Sequence, residues 1–320
     1  KQRVLSFFGP IVKAHENGGI NNKELLSRRL RLAADWLVRI QEPDGNIPPI
    51  VNPLTGRKSQ VDWVRLAFTT RALAEFGRAV KEDRYVDSAK KSFEYLRQHL
   101  LSNFSYPIRP LEMTLAFFGQ AAIILRKQQE ALMAAEKILT RLNGLPFDPM
   151  TFSYTVIFLK TFSRGSGHFW TPAETLARAL KENFERNMKS YAPMNLAEWS
   201  ELANVFSDID PGFSRDVSVW LKGRQLSDGA FAESTASDFV FTRSTGKIFE
   251  VLAAKPEENK ESIARVLQWL FSMQYEEENA FFVPAEIRPG VIGGFRHDYF
   301  NHEAWMEAAG CCNNSGGTSL

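Results

Sequence analysis

The stretch Trp36-Leu37-Val38-Arg39-Ile40-Gln41-Glu42-Pro43-Asp44-Gly45 decides the fold, because its pattern recurs twice along the chain. The second copy covers 220–229 and repeats the Trp-Leu pair, the Gln and the Asp-Gly pair, and the third covers 269–274. Each copy closes a segment whose apolar residues recur at helical spacing. In the first two copies an Asp-Gly pair follows, which favours a tight turn. The sequence therefore predicts helices that end in similar turns.

The spacing of the copies indicates a helical-hairpin array. The second and third begin 49 residues apart, and the first and second begin 184 apart, close to four such intervals. An interval of about 46–49 residues accommodates two helices with their connections, which is the mark of a repeat architecture. We therefore predict an all-α (α/α)6 toroid, with six inner helices inside six outer helices. The three Trp residues should occupy equivalent places on outer helices, and Gln41, Gln225 and Gln274 should tie neighbouring hairpins together.

The apolar periodicity predicts about a dozen helices of roughly 12–18 residues, an ordinary length for globular proteins, and Pro or Gly residues separate them. No linker long enough to divide the chain is visible, so residues 1–310 are predicted to form one toroid domain. Residues 311–320 are small and polar, which predicts a disordered tail or a cloning remnant. The adjacent Cys311 and Cys312 in this tail are interpreted as incidental.

Composition excludes several classes of protein. Lys+Arg 39 against Asp+Glu 37 gives a net charge of +2, which argues against a nucleic-acid partner. The longest apolar stretch, 113–125, is shorter than the roughly 20 residues of a membrane span. Two cysteines favour a reducing, cytoplasmic compartment, although the missing initial Met leaves a removed leader open. Phe is abundant at 25 residues, which would permit an aromatic-lined cavity.

The repeated phrases resemble those of the α/α-toroid superfamily. That group includes terpenoid cyclases with Gln-Trp repeats, protein prenyltransferases and complement thioester domains, and it borders six-hairpin glycosidases and α/α polysaccharide lyases and epimerases. The resemblance implies a toroid with a site in its central cavity and names no single family. The acidic motif of class II cyclases is incomplete in 208–211, where Pro211 stands at its last position, and Asp210 is predicted to cap a helix. The diphosphate-binding, thioester and zinc motifs are absent.

The densest group of chemically active residue types lies in 296–305, and we expect it to line one end of the cavity at the start of an inner helix. Its catalytic candidates are His297, Asp298 and Tyr299, and its candidate substrate-binding residues are Arg296, Asn301, His302 and Trp305. The alternative is a capped helix start with solvated side chains. The spacing of five residues between the two histidines does not suit a zinc site, so no metal and no cofactor are predicted.

Other predicted inner-helix starts place cations or carboxylates beside the cavity. Cations at a helix N-terminus suit an anionic ligand, and a Trp next to a carboxylate suits a sugar ring, although acidic residues are also favoured there by the helix dipole. Asp62, Glu198 and Glu201 are further catalytic candidates. The further candidate binding residues are Trp63, Arg65, Glu112, Trp199, Arg243 and Lys247.

These residues favour a carbohydrate-active enzyme acting on an acidic or polar saccharide. A glycoside hydrolase would draw its two carboxyl groups from Asp62, Glu198, Glu201 and Asp298. A lyase or epimerase would use Tyr299 or His297 as the base, with Arg243, Arg296 or Asn301 stabilising the developing negative charge. An isoprenoid-binding protein like the terpenoid cyclases, or a non-catalytic binding toroid, remains the alternative. The expected partner is a small molecule or an oligosaccharide, and the oligomeric state is left open.

Overall fold

The computed structural model describes residues 23–101, 110–142, 144–164 and 167–306. Within these ranges the chain forms twelve α-helices and five short strands, which confirms the prediction of an almost wholly helical protein. The helices are α1 (Lys23–Ile40), α2 (Trp63–Val80), α3 (Asp83–Leu101), α4 (Leu111–Ile124), α5 (Gln128–Leu139), α6 (Pro149–Ser163), α7 (Trp170–Ser190), α8 (Leu196–Ser200), α9 (Leu202–Val205), α10 (Pro211–Lys222), α11 (Thr242–Ala253) and α12 (Pro256–Met273).

The helices alternate between an outer and an inner ring. The inner ring consists of α2, α4, α6, the broken pair α8–α9, and α11; contacts run from each of these to the next along the chain, and each also packs against the outer helix that follows it. The outer ring consists of α1, α3, α5, α7, α10 and α12. The described residues therefore form the predicted α/α toroid, with six outer helices and five of the six predicted inner positions. The inner helix that follows Asn195 is broken at Glu201, which separates α8 from α9.

Burial distinguishes the two rings. The inner helix α4 is almost wholly apolar, and all residues from Glu112 to Ala122 are buried, as expected for a helix surrounded by others. Gly119 lies against the ring of Phe158 in α6, so that a Cβ at this position would collide with the ring. Three inner helices begin at polar caps: the Asp62, Asp148 and Asn195 side chains accept from backbone amides in the first turns of α2, α6 and α8.

The repeated turns hold the outer ring together, as the Trp-Leu-Gln pattern predicted. Gln41 Nε2 donates to the carbonyl oxygen of Ser88 in α3 at 2.9 Å, and Gln225 Nε2 donates to that of Ser262 in α12 at 3.0 Å. Each amide also reaches the glycine carbonyl of its own turn. Trp36, Trp220 and Trp269 lie buried on outer helices, near the C-terminal ends of α1, α10 and α12.

The third copy closes the ring. Gln274 Nε2 donates to the carbonyl oxygen of Arg29 in α1 at 3.0 Å, and to that of Gly293 at 3.2 Å. Because α1 is the first described helix and α12 the last, this residue joins the two ends of the array. Trp36 Nε1 adds a second link by donating to the carbonyl oxygen of Gly290 at 2.8 Å.

The strands are short and lie in the connections. Strands β2 (Ala232–Ser234) and β3 (Ser237–Val240) form a hairpin before α11, and β1 (Ile50–Val51), β4 (Phe295–Arg296) and β5 (Ala304–Trp305) form a small antiparallel sheet in the order β1-β5-β4. The expectation that 296–305 forms the start of an inner helix is wrong, because Ala304 pairs with Arg296 in the sheet. Asp298 accepts from the backbone amides of Phe300 and Asn301, which shapes a loop instead of a helix start.

The predicted tail at 311–320, including Cys311 and Cys312, lies outside the described residues, as do residues 1–22. Among the described helices, none has the length and hydropathy needed to cross a membrane.

Candidate functional site

One layer of side chains fills the centre of the toroid about one and a half turns below the inner-helix N-termini. The rings of Phe68 and Phe117 have centroids 5.2 Å apart, and those of Phe117 and Tyr154 are 4.3 Å apart. Lys247 Nζ lies 4.7 Å from the Phe68 ring centroid and donates to the Tyr154 hydroxyl at 3.0 Å. Tyr154 in turn donates to Glu201 Oε1 at 2.6 Å. We call these five buried residues the floor.

The floor contains two of the sequence candidates, Glu201 and Lys247. Both are buried, with relative exposures of 1% and 3%, and their polar atoms are engaged by Tyr154 and, for Glu201 Oε2, by Asn204. A second buried pair extends the floor, in which Arg71 Nη2 lies 2.5 Å from Glu250 Oε1. Burial raises the pKa of Glu250 against the opposing effect of Arg71. Space for a ligand therefore lies above the floor, at the mouth formed by the inner-helix N-termini.

A cavity of about 640 Å³ opens at this mouth, between the starts of α4, α6 and α8, and three carboxyl groups line it: Glu112, Asp148 and Glu198. Asp148 is held by its capping bond from the Thr151 backbone amide, at 2.8 Å. Glu112 Oε1 accepts from Arg141 Nε at 2.5 Å, so this carboxylate is already paired. We call this space the mouth cavity.

Glu198 lies among groups that shift its pKa. Partial burial raises its pKa, the nearby Asp148 and Glu233 carboxylates raise it further, and Arg243 at the start of α11 opposes them. A carboxyl group in such surroundings keeps its proton to a higher pH, which is what a general acid requires. Of its neighbours, Arg243 was a candidate from the sequence, whereas Asp148 and Glu233 were not.

The tryptophans of the two predicted Trp–carboxylate pairs face the outer ring. Trp199 is 3% exposed, with its ring centroid 5.6 Å from that of Phe184 in α7. Trp63 lies 5.7 Å from Tyr95 and 4.7 Å from His99 in α3, again between ring centroids. One residue along a helix turns a side chain by about 100°, so a carboxylate at the mouth places its neighbouring Trp against the outer helices. These positions argue against sugar stacking on either ring.

Asp62 and Arg65 lie at a second part of the mouth. Asp62 Oδ1 accepts from the Arg65 backbone amide at 3.0 Å, and its Oδ2 lies 2.7 Å from Arg65 Nη1. Both residues line a cavity of about 640 Å³ together with Glu303, Arg57 and Lys58. Since both oxygens of Asp62 bond Arg65, the residue acts as a helix cap that is also part of an ion pair.

The loop between β4 and β5 presents a histidine–carboxylate pair beside Trp305. His297 Nδ1 lies 2.8 Å from Asp298 Oδ2. The imidazole centroid is 4.2 Å from the Trp305 ring and 4.8 Å from the Phe241 ring, and the Arg65 guanidinium lies 4.8 Å from the Trp305 ring centroid. The structure therefore brings this loop against the starts of α2 and α11.

The remaining candidates of this segment have other partners. The Tyr299 hydroxyl donates to Asp228 Oδ2 and accepts from Trp269 Nε1, both at 2.5 Å, and burial together with Asp228 raises its pKa. A phenol in this state is a poor base. Arg296 is fully buried, and its guanidinium lies over the Tyr275 ring at 5.0 Å.

Asn301 and His302 line a separate groove discussed below. Asn301 Nδ2 donates to Glu303 Oε2 at 3.3 Å, and burial lowers the pKa of His302. In the described ranges, no group of three His, Cys, Asp or Glu side chains is placed to hold a metal ion. Asp210 caps α10 by accepting from the Phe213 backbone amide at 3.1 Å, as predicted for the incomplete acidic motif.

Comparisons with known proteins rest on structure. No protein-family model matches the chain, and no curated protein does so either. Several solved structures share the fold across nearly their whole length. An unsaturated glucuronyl hydrolase specific for heparin aligns with a TM-score of 0.66 at 12% identity, covering 92% of this chain and 96% of its own.

A cellobiose 2-epimerase from Bacillus thermoamylovorans aligns with a TM-score of 0.61 at 10% identity, covering 91% of this chain and 99% of its own. A wild-type glycosidase aligns with a TM-score of 0.60 at 11% identity, covering 93% and 98%. At these identities the similarity establishes the fold alone. The α/α toroid inferred from the repeated phrase is thereby confirmed.

Proposed function

We propose that this chain is a carbohydrate-active enzyme, in the first instance a glycoside hydrolase, whose reaction takes place in the mouth cavity. The observation that supports this proposal is that the Glu198 and Asp148 carboxyl groups line one cavity at the N-terminal ends of α6 and α8. Hydrolysis of a glycosidic bond requires a protonated and an ionised carboxyl group around the same bond. The neighbouring folds include a glycosidase and a glucuronyl hydrolase, in agreement with the proposal.

In this mechanism Glu198 donates its proton to the glycosidic oxygen as the bond to the leaving group breaks. Its pKa, raised by burial and by two nearby carboxylates, keeps that proton available. The Asp148 carboxylate, fixed by the Thr151 amide, acts as the base that activates water or as the nucleophile that attacks the anomeric carbon. Arg243 lies near enough to stabilise the negative charge that Glu198 acquires on proton transfer.

The test is hydrolysis of a panel of 4-nitrophenyl glycosides and unsubstituted disaccharides by the wild-type chain and by Glu198→Gln. We expect the variant to fold normally and to lose about 10²–10⁴-fold in kcat, the usual value of a positioned acid. Glu185→Gln, a change at an exposed position of the outer helix α7, is the matched control and should keep full activity. Equal activity of Glu198→Gln and the control would contradict the proposal.

A second candidate, an epimerase or lyase, is favoured by the His297–Asp298 pair. A histidine whose Nδ1 is held by a carboxylate has its Nε2 available for proton abstraction. Such an enzyme would incorporate deuterium from D2O into unreacted sugar, and His297→Gln would abolish this exchange while Glu198→Gln would not. Hydrolysis without deuterium incorporation would reject this candidate.

The two remaining alternatives are less well supported. An isoprenoid site would be expected to be lined mainly by Phe, whereas the mouth cavity is lined by three carboxyl groups. A non-catalytic binding or scaffold toroid would be favoured by a cavity plugged with side chains. In the described part of the chain the floor lies at the level of Lys247 and Tyr154, and the mouth cavity lies above it.

A further inference from the structure

A groove of about 850 Å³ lies at the mouth, on the side formed by the loop after β1, the end of β3 and the loop between β4 and β5. None of the three carboxyl groups of the mouth cavity lines it. Its lining consists of Asn52, Pro53, Leu54, Asp238, Phe239, Val240, Phe241, Phe282 and residues 298–303. The volume is within the range of about 300–1,000 Å³ for small-ligand sites.

The rim of the groove carries large apolar side chains that are open to solvent. Leu54 is 59% exposed, Phe239 is 68% exposed and Phe300 is 75% exposed. Folding does not require these side chains to be at the surface, and exposed apolar groups that cluster around a concavity mark a binding site. Aromatic faces of this kind pack against the C–H faces of sugar rings.

The polar lining is acidic. The groove presents the carboxyl groups of Asp238, Asp298 and Glu303, and neither Lys nor Arg is among its described lining residues. Carboxylate and amide oxygens accept hydrogen bonds from sugar hydroxyls, and the carboxylates repel a carboxylate or a sulfate. Burial lowers the pKa of His302, so this ring adds no positive charge near neutral pH.

The adjoining cavity at Asp62 does carry cations. Arg57 and Lys58 line that cavity, which shares Asn52 and Glu303 with the groove. Lys58 Nζ donates to the carbonyl oxygen of Ile40 at 3.2 Å, so its charge is directed towards the end of α1. The described lining of the groove itself, with three carboxyl groups and no Lys or Arg, favours a ligand without negative charge.

We propose that the groove binds the non-reacting part of the saccharide substrate, and that this part is neutral or carries an amino group. The inference rests on the proposed function, and it narrows the substrate from the acidic or polar saccharide expected from the sequence to one without negative charge in this region. A protein partner is disfavoured, because the apolar side chains surround a concave site instead of forming a flat patch.

The experiment measures binding in the Glu198→Gln variant, so that it does not depend on turnover. The labelled protein is applied to an array holding neutral, amino and uronate oligosaccharides, including tetramers of N-acetylglucosamine, glucosamine and galacturonate. We expect retention of at least one neutral or amino glycan, with a Kd at least tenfold lower than that of any uronate counterpart. Tightest binding of galacturonate, or retention of no neutral or amino glycan, would overturn the proposal.

Two further variants locate the site. Phe239→Ser combined with Phe300→Ser should weaken binding at least tenfold, whereas Phe281→Ser, at a position that is 63% exposed but outside the groove lining, should not. Asp238→Lys should raise the affinity for galacturonate. An unchanged Kd in the double serine variant would contradict the assignment of the groove. Binding at the groove without any hydrolysis would refute the proposed function alone.

Discussion

At the scale of single residues, Glu198 and Trp199 are neighbours in the chain and reach opposite environments. Glu198 faces the mouth cavity, while Trp199 packs against Phe184 of the outer ring. The helical turn between them explains this difference. Burial raises the pKa of Glu198, and the charges of Asp148, Arg243 and Glu233, which come from three other parts of the chain, shift it as well.

This dependence gives a prediction for the pH profile of kcat/KM. A general acid must be protonated, so activity falls as pH rises through the pKa of Glu198. Glu233→Gln removes a carboxylate that raises this pKa, and the alkaline limb should therefore move to lower pH. Arg243→Gln removes a cation that lowers it, and the limb should move to higher pH. A shift of the alkaline limb in the same direction in both variants would argue against Glu198 as the acid.

A second residue-scale prediction concerns Gly229. Its φ is +97°, and a Cβ would collide with the carbonyl oxygen of Arg265 in α12. Gly229→Ala should therefore lower the free energy of unfolding by about 1–3 kcal/mol or more, measured by urea denaturation. Gly223 has a φ of −65°, and a Cβ there would make only ordinary van der Waals contacts, so Gly223→Ala is the matched control and should cost little. An equal decrease in the free energy of unfolding in the two variants would refute the explanation that a Cβ at position 229 collides with the Arg265 carbonyl.

At the scale of elements, buried charges join inner helices across the ring. Arg71 of α2 is paired with Glu250 of α11 at 2.5 Å, and its guanidinium lies 5.7 Å from the Phe68 ring centroid. Lys247, one turn before Glu250, bonds Tyr154 of α6. Removing one charge from such a pair leaves the other buried without its partner, which costs more than the pair itself contributes.

We therefore expect Arg71→Met to lower the free energy of unfolding by about 3–5 kcal/mol. The double variant Arg71→Met with Glu250→Gln should be more stable than Arg71→Met alone, because it leaves no charge from this pair in the core. Urea denaturation of the two single variants and the double variant gives the coupling energy. Additive losses would show that the two groups do not interact.

At the scale of the whole molecule, three glycines make equivalent approaches to outer helices. A Cβ at Gly45, Gly229 or Gly293 would collide with the carbonyl oxygen of Lys91, Arg265 or Leu32, respectively. The Gln of each turn donates to a carbonyl oxygen three residues earlier on the same outer helix. These acceptors are Ser88, Ser262 and Arg29, respectively. The third contact closes the ring between α12 and α1.

Loss of the Gln274 contact, which joins α12 to α1, should affect more of the molecule than loss of the Gln225 contact between α10 and α12. Gln274→Ala removes the bonds to Arg29 and Gly293, each worth about 1 kcal/mol. Hydrogen exchange should become faster in α1 and in 290–296 together. Gln225→Ala, the control, should affect only α10 and α12. Indistinguishable exchange patterns in the two variants would contradict a special role for the closing turn.

The sequence by itself determined the toroid and its repeated turns. The Trp-Leu pair, the Gln and the Asp-Gly pair act locally, since helix periodicity and the positive φ of Gly45 and Gly229 depend on neighbouring residues. The third turn was recognised only in part, because Gly293 lies 19 residues after Gln274 instead of four.

Only the tertiary structure decided which residues form the floor at the centre of the toroid and which line the mouth cavity above it. Sequence periodicity does not indicate how deep a residue lies along an inner helix, so Glu201 and Lys247 could not be assigned to the floor. Asp148 had the signature of an ordinary helix cap, and its approach to Glu198 arises from the packing of α6 against α8. Burial and neighbouring charge, which set the pKa of a carboxyl group, come from residues that are distant in the chain and become neighbours only when the ring closes.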